Sequence, residues 1–271
     1  MSKDELNTTG AGHQIIHSEY VDLMNKRSLG DLPDMGCALR LSAIINEYFI
    51  TEKKYTKLKT LIDIGCATGH YYRTFLNQNI PIEKYIGLER DPDMIQTALK
   101  AWSNEIKKGK IDFIQDDIES NNNLPASDLL ICYNSFMYYK SAKFVLKKFL
   151  ASSKNILIRS YFSDNNFRIL RGQSKQNNDN VDIDELELFS DSGAIKSADY
   201  WTIYSFSYIE KIVKKIDPSA KVKWIEDKNI IDSINNEKNI GVIKRGGTEI
   251  VGGYEISYPL LQPWEILMIT R

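Results

Sequence analysis

The strongest constraint on the fold of this chain is a rhythm. Five short apolar runs, Thr60–Ile64, Tyr85–Leu88, Ile111–Ile114, Asp128–Tyr133 and Asn155–Tyr161, are separated by amphipathic stretches of helical period. Strands that are apolar along their whole length belong to a sheet covered on both faces. Alternation with helices over Gly69–Gln78, Asp91–Lys107 and Ala142–Ala151 makes that sheet mainly parallel. The pattern predicts an α/β, doubly wound fold. Two helices come first, His13–Lys26 and Ala38–Phe49, parted by Gly30-Asp31-Leu32-Pro33.

The rhythm fails after Phe162. Ser163–Lys196 is polar, approaches low complexity at Gln173–Asn180, and offers no segment that reads as a strand. Such a long loop suggests a lid or an insertion. A helix follows at Ser207–Ile216, ended by Asp217-Pro218, and Val222–Ile225 and Ile266–Thr270 read as late strands that close the sheet edge. Between them Gly241, Gly246-Gly247 and Gly252-Gly253 suggest a hairpin excursion.

Composition removes several classes of function. With 35 basic against 36 acidic residues the net charge is -1, where a nucleic-acid-binding surface would call for a basic excess. The cysteines, Cys37, Cys66 and Cys132, are odd in number and form no CxxC. Neither a disulfide framework nor a metal site is expected, and reduced thiols point to the cytoplasm. The polar segment Met1–Gly12 does not read as a signal peptide. No apolar stretch approaches ~18 residues, so no membrane span is expected.

The most informative segment is Leu61-Ile62-Asp63-Ile64-Gly65-Cys66-Ala67-Thr68-Gly69-His70. A buried strand runs into a glycine-bearing turn that opens a helix. Ligands of such sheets sit beyond the carboxyl ends of the strands, and glycine lets backbone approach them closely. A dinucleotide site would call for GxGxxG. Here Ala67 stands between Gly65 and Gly69, which suits an adenosine ligand without a pyrophosphate. Glu89, ending the second run, is placed to accept hydrogen bonds from ribose hydroxyls, and Asp91-Pro92 starts the next helix. After the third run come Asp116, Asp117 and Ile118, where an acid and a backbone N–H could meet an adenine edge. The fourth run ends in Asn134-Ser135-Phe136-Met137-Tyr138-Tyr139.

Taken in order, these elements resemble the class I S-adenosylmethionine-dependent methyltransferases over about Lys59–Tyr161. Asp63-x-Gly65-x-x-x-Gly69 is similar to the family's first motif, with Cys66 and Ala67 in its turn. Glu89 corresponds to the ribose acid, Asp117 to the adenine-side acid, and Asn134 to the polar residue facing the methionine part. Ala67 departs from a common glycine, and Arg90 from a common apolar residue, although its aliphatic stem could pack on adenine. Trp264–Arg271 resembles the family's last strand.

The resemblance implies a seven-stranded Rossmann-like sheet with an antiparallel last strand and insertions in the C-terminal half. It divides the single domain into an N-terminal helical cap (1–58), a cofactor-binding core (59–162), an insertion or lid (163–206) and a completion of the sheet (207–271). The cofactor it implies is S-adenosyl-L-methionine. The reaction would be direct in-line transfer to an oxygen or nitrogen of a small polar metabolite, a sugar-related one among the candidates. A binding or regulatory protein without transfer activity would carry the same motif.

No proline follows Asn134, and no Pro-Cys nucleophile occurs, so the patterns of DNA-base methyltransferases are absent. In-line alignment of the reactants can supply much of the catalysis without a general base. Tyr138 and Tyr139 are the candidates for the acceptor site, with His17 on a helix that folds over the cofactor in this family. Arg40 is a candidate partner for the cofactor carboxylate. His70, at a helix start, reads as structural. Oligomeric state is not legible.

Overall fold

In the computed structural model, residues 17–52, 55–174, 195–227, 248–251, 254–257, 260–262 and 264–271 are described. Helix α1 (His17–Leu29) and helix α2 (Gly36–Ile45), which runs on into a π-helical turn at Asn46–Thr51, precede the sheet. Then come β1 (Leu58–Ile64), α3 (His70–Asn77), β2 (Ile82–Glu89), α4 (Pro92–Ala101), α5 (Ser103–Lys107), β3 (Ile111–Gln115) and β4 (Leu129–Tyr133). A single 3-10 turn at Phe136–Tyr138 leads to α6 (Ala142–Ser152) and β5 (Asn155–Ser163). The remainder comprises β6 (Phe167–Ser174), β7 (Ile195–Ser205), α7 (Phe206–Ile216), β8 (Lys221–Glu226), β9 (Thr248–Val251), β10 (Tyr254–Ser257), β11 (Leu260–Gln262) and β12 (Trp264–Thr270).

The main sheet has the order β3-β2-β1-β4-β5-β12-β8. Its first five strands are parallel, and β12 runs antiparallel to both β5 and β8. The seven-stranded doubly wound sheet with an antiparallel last strand is therefore present. The order reverses between β1 and β4, so the carboxyl ends of those strands border the crevice where such folds bind ligands. At the opposite, amino edge of these two strands Asp128 ties them together: its Oδ2 accepts from the main-chain N–H of Lys59 (2.6 Å) and Thr60 (3.2 Å).

Apolar side chains alternate between two cores. Ile62, Ile64, Ile156 and Ile158 pack with Val145, Phe149 and Val213 of α6 and α7. Leu61, Ile131, Leu157 and Ile266 pack on the other face with Leu41, Ile44, Tyr71 and Phe75 of α2 and α3. Helix starts follow from capping. Asp91 Oδ1 accepts from the N–H of Asp93 and Met94 before Pro92 opens α4, and the hydroxyls of Ser141 and Ser205 cap α6 and α7.

Two expectations need correction. The helix expected over Asp91–Lys107 is broken at Trp102 (φ -108°, ψ 18°). The indole there is 1% exposed, and its N–H donates to the Thr68 carbonyl at 3.0 Å. Burial of that ring beneath the glycine turn wins over helix continuity. The second is the absence of strands in Ser163–Lys196. Strand β6 lies within it, pairing antiparallel with β7 from Phe167↔Ile203 to Ser174↔Ile195, and β7 joins β5 at Phe162↔Tyr204. The ladder partner, some thirty residues away, defines β6; local periodicity does not. The low-complexity stretch is mostly outside the described residues. So are Gly241, Gly246, Gly247, Gly252 and Gly253 of the hairpin excursion, but β9, β10 and β11 form an antiparallel three-stranded sheet in that region.

Candidate functional site

The turn after β1 is held from β2. The N–H groups of Gly65 and Cys66 both donate to the Leu88 carbonyl, at 2.8 and 3.2 Å. Gly65 (φ 73°), Ala67 (φ 49°) and Gly69 (φ 78°) are left-handed, a conformation costing a non-glycine residue roughly 1–2 kcal/mol. Ala67 is fixed there by its own N–H, which donates to Glu89 Oε2 at 3.0 Å. A Cβ on Gly65 would stand 2.8 Å from the Ser135 side chain, and one on Gly69 would stand 2.8 Å from the Phe113 ring. The glycines of the motif are thus required by the protein's own packing as well as by any ligand.

Glu89 ends β2 as a cap for this corner. Oε1 accepts from the N–H of Arg90 (2.8 Å) and Asp91 (3.1 Å), and Oε2 from Ala67. Burial raises its pKa, opposed by these three backbone donors. A carboxylate offers about four acceptor positions, so one remains, on the oxygen shared with Ala67. Arg90 and Asp117, both expected at the adenine, come together with Nη1 and Oδ2 3.8 Å apart. Asp117 Oδ1 accepts from Glu119 N–H, while Asp116 is engaged by Ser120 and Asn122. Ile118 is buried in the core beneath them.

Three titratable side chains of the motif are buried. Asp63 accepts from the Tyr85 hydroxyl at 2.5 Å through Oδ2, while its Oδ1 has no partner. Burial pushes its carboxyl up to about 7, with Tyr85 opposing and the Glu89 charge adding. His70 is 8% exposed with neither ring nitrogen hydrogen-bonded, and burial, then the charge of Arg27, lowers it to about 3. The Cys66 thiol is likewise buried and pushed up. These three are neutral groups near pH 6, packed into the turn and its helix.

Asn134 has φ 65° and spends both ends of its amide inside the protein. Its Nδ2 donates to the Tyr71 hydroxyl at 3.0 Å, and its Oδ1 accepts from the Arg159 guanidinium. Arg159 in turn donates through Nε to Asp227 Oδ2 at 2.5 Å and lies 3.8 Å over the Trp264 ring. Burial opposes the charge of Arg159, but Asp227 outweighs it, and its pKa rises. Sequence reading missed this network: Arg159 sits in an apolar strand, and Asp227 is 68 residues away. The only sequence signal is a lone charge inside the run Ile156–Phe162.

The proposed acceptor-side tyrosines diverge. Tyr139 is 9% exposed within the α6–α7 core, its hydroxyl beneath Gly65. Tyr138 is partly buried in a separate cluster with Met137, Tyr161, Ile203, Trp201 and Trp264. Arg40 approaches Asp227 and Tyr133, where its charge favours the ionised forms. His17 begins α1, and its side chain is outside the described residues. Met24 of α1 packs on Ala67 and Met94, which lays this helix against the glycine turn. Among the described residues no cluster of His, Cys, Asp and Glu could hold a metal, and no helix is long and apolar enough to cross a membrane.

Residues 62–155, which include the carboxyl ends of β1 to β4, match a family described as a methyltransferase domain. Over this stretch the chain is similar to that family. No curated protein matches the chain. Solved structures share the fold at low identity. An S-adenosylmethionine-dependent methyltransferase from Clostridium acetobutylicum ATCC 824 has TM-score 0.52 and 12% identity, covering 94% of this chain and 98% of that one. The N-terminal domain of EvdMO1, with S-adenosylhomocysteine bound, has TM-score 0.51 and 10% identity, covering 86% and 80%. A Haemonchus contortus phosphoethanolamine N-methyltransferase 2 has TM-score 0.53 and 14% identity, covering 84% of this chain and 51% of that one.

The corner built by the β1 turn and Glu89 fits an adenosyl ligand on its own geometry. The left-handed turn of Gly65–Gly69 presents backbone rather than side chain at the crevice. Glu89 keeps one acceptor position beside it, and the stem of Arg90 is braced over the next strand end by Asp117.

Proposed function

We propose that this chain is an S-adenosylmethionine-dependent methyltransferase that transfers the methyl group to an oxygen or nitrogen of a small polar metabolite, such as a sugar-related one. The observation that carries the cofactor half of this reading is the Ala67–Glu89 tie, which sets the glycine turn and the strand-two acid in one rigid corner. Glu89 accepts one ribose hydroxyl at its remaining acceptor position. Arg90 covers an adenine face with its stem, and Asp117 and the main chain at Ile118 meet the base edge. Gly65, Cys66, Ala67 and Gly69 line the nucleoside, and Asp63 and Asn134 shape the turn from below. Arg40, a candidate for the cofactor carboxylate from sequence, serves better near Asp227.

The bound cofactor supplies an electrophilic methyl group on a sulfonium. The chain's part is to hold the acceptor in line and exclude water, which in favourable systems is worth about 7–11 kcal/mol. Tyr138, near the aromatic cluster, lines the acceptor side, whereas Tyr139 supports the turn. His17, at the start of the helix that packs on Ala67, remains a candidate to cover the site.

Small acceptors are supported by the balanced charge of -1 and by the absence of nucleic-acid motifs after β4. Calorimetric titration with S-adenosylmethionine, S-adenosylhomocysteine and NADH tests the reading. Micromolar binding of the two adenosyl ligands and none of NADH is expected. Binding of NADH alone would reverse the assignment.

A further inference from the structure

Beyond the cofactor corner, the carboxyl edge of β4, β5 and β8 holds polar atoms that the fold leaves unpaired. Asp227 is 5% exposed, yet only its Oδ2 is bonded, to Arg159; Oδ1 has no partner. Tyr133, 2% exposed, has an unpartnered hydroxyl in the same electrostatic neighbourhood. Nε of Arg40, whose charge reaches both, is also unpartnered. Buried polar atoms are nearly always paired, and exceptions call for an occupant. This group is one guanidinium away from Asn134, at the end of the strand beside the glycine turn.

The atoms left open define what would satisfy them. Asp227 Oδ1 needs a donor, Arg40 Nε needs an acceptor, and the Tyr133 hydroxyl serves as either. The charges of two guanidiniums, Arg159 in contact and Arg40 nearby, act on one carboxylate here, so a cationic amine is repelled. A carboxylate or phosphate would set lone pairs against Asp227. A neutral hydroxyl, which both donates and accepts, meets every demand. Beside it the Tyr161 and Trp264 rings, 4.2 Å apart, provide an apolar wall.

We infer that Asp227, Tyr133 and Arg40, held in place by Arg159, form the subsite that recognises a neutral hydroxyl of the methyl acceptor. This rests on the methyltransferase reading and narrows its acceptor to hydroxyl compounds such as polyols, sugars or phenols.

The test begins with calorimetry of the full chain with S-adenosylhomocysteine. Transfer of labelled methyl from S-adenosylmethionine is then measured to myo-inositol, methyl glucoside and catechol, against ethanolamine and phosphoethanolamine. Transfer to a hydroxyl compound is expected, and Tyr133→Phe should raise its KM about tenfold. The same variant should leave S-adenosylhomocysteine affinity unchanged and thermal stability unchanged or higher, because it removes an unpaired buried hydroxyl. Asp227→Asn, which keeps an acceptor for Arg159, should abolish measurable transfer while the adenosyl ligand still binds. Transfer to amines only, no transfer to any hydroxyl compound, or an unchanged KM in Tyr133→Phe would overturn the inference. Failure of the wild-type protein to bind S-adenosylhomocysteine would instead remove the reading beneath it.

Discussion

The main-chain N–H of Ala67 donates to Oε2 of Glu89 at 3.0 Å, across 22 residues of sequence. This bond makes the second strand's acid part of the first strand's turn. It also holds a non-glycine residue in the left-handed region, where the family motif commonly has glycine.

Removing Glu89 therefore acts twice. Glu89→Ala deletes a charge-assisted acceptor for ribose and releases three backbone donors. The adenosyl ligand should bind more weakly by about 1.5–3 kcal/mol, and stability should fall as well. Glu89→Gln should lose less, since its carbonyl can keep part of the cap. Calorimetry with S-adenosylhomocysteine and a urea titration measure the two effects; unchanged affinity in Glu89→Ala would remove this residue from the site.

Gly87 lies one layer below, where a Cβ would stand 2.6 Å from Cys66 Sγ and 2.8 Å from the Phe113 ring. Gly87→Ala should destabilise by about 1–3 kcal/mol, the usual range for overpacking. Adding Cys66→Ala should restore part of this, because the two changes share one contact. Denaturation midpoints of both single variants and the double give the coupling, and simple additivity would mean that the backbone shifts as a whole.

The corner was legible because its information is local. An apolar run, glycines four residues apart and an acid at the next strand end are all read within about thirty residues, Leu61 to Glu89. The parallel, doubly wound character of the sheet was legible for the same reason, from strands and helices alternating along the chain. What escaped depends on partners distant in sequence. Strand β6 exists through its pairing with β7. Trp102 leaves the helix because its indole reaches Thr68. Asp227 becomes a site residue only because β8 lands two strands from Arg159 in the sheet. The partners of the Asn134 amide, Cys37, Tyr71 and Arg159, come from three other elements, and none is legible beside it in sequence.

Stability should show a hidden pH dependence, because Asp63 and His70 act with opposite sign. Asp63 is raised from 3.8 to about 7. The folded state then holds its proton more tightly, and stability falls as pH rises from about 4 to 7. His70 is lowered from 6.5 to about 3. There the unfolded state binds the extra proton, and stability rises with pH from about 3 to 6.5. Across the overlap the two slopes oppose, each approaching about 1.4 kcal/mol per pH unit. Asp63→Asn should expose the rising limb of His70, and His70→Gln the falling limb of Asp63. Urea midpoints at pH 4.5 and 6.5 read both, and slopes equal to wild type in both variants would contradict the two shifts.

Asn134 separates conformational strain from hydrogen bonding at the end of β4. Asn134→Ala loses the bonds to Tyr71 and Arg159 and keeps a Cβ at φ 65°. The loss should be about 2–4 kcal/mol, from two buried hydrogen bonds and left-handed strain. Asn134→Gly loses the same bonds without the strain and should be about 1 kcal/mol more stable than the alanine variant. If the glycine variant gains nothing over alanine, backbone strain at this turn is not what selects asparagine. The bonds to Arg159 and Tyr71 would then carry the whole effect, and Arg159→Lys should reproduce much of it by shortening the guanidinium's reach to both Asn134 and Asp227.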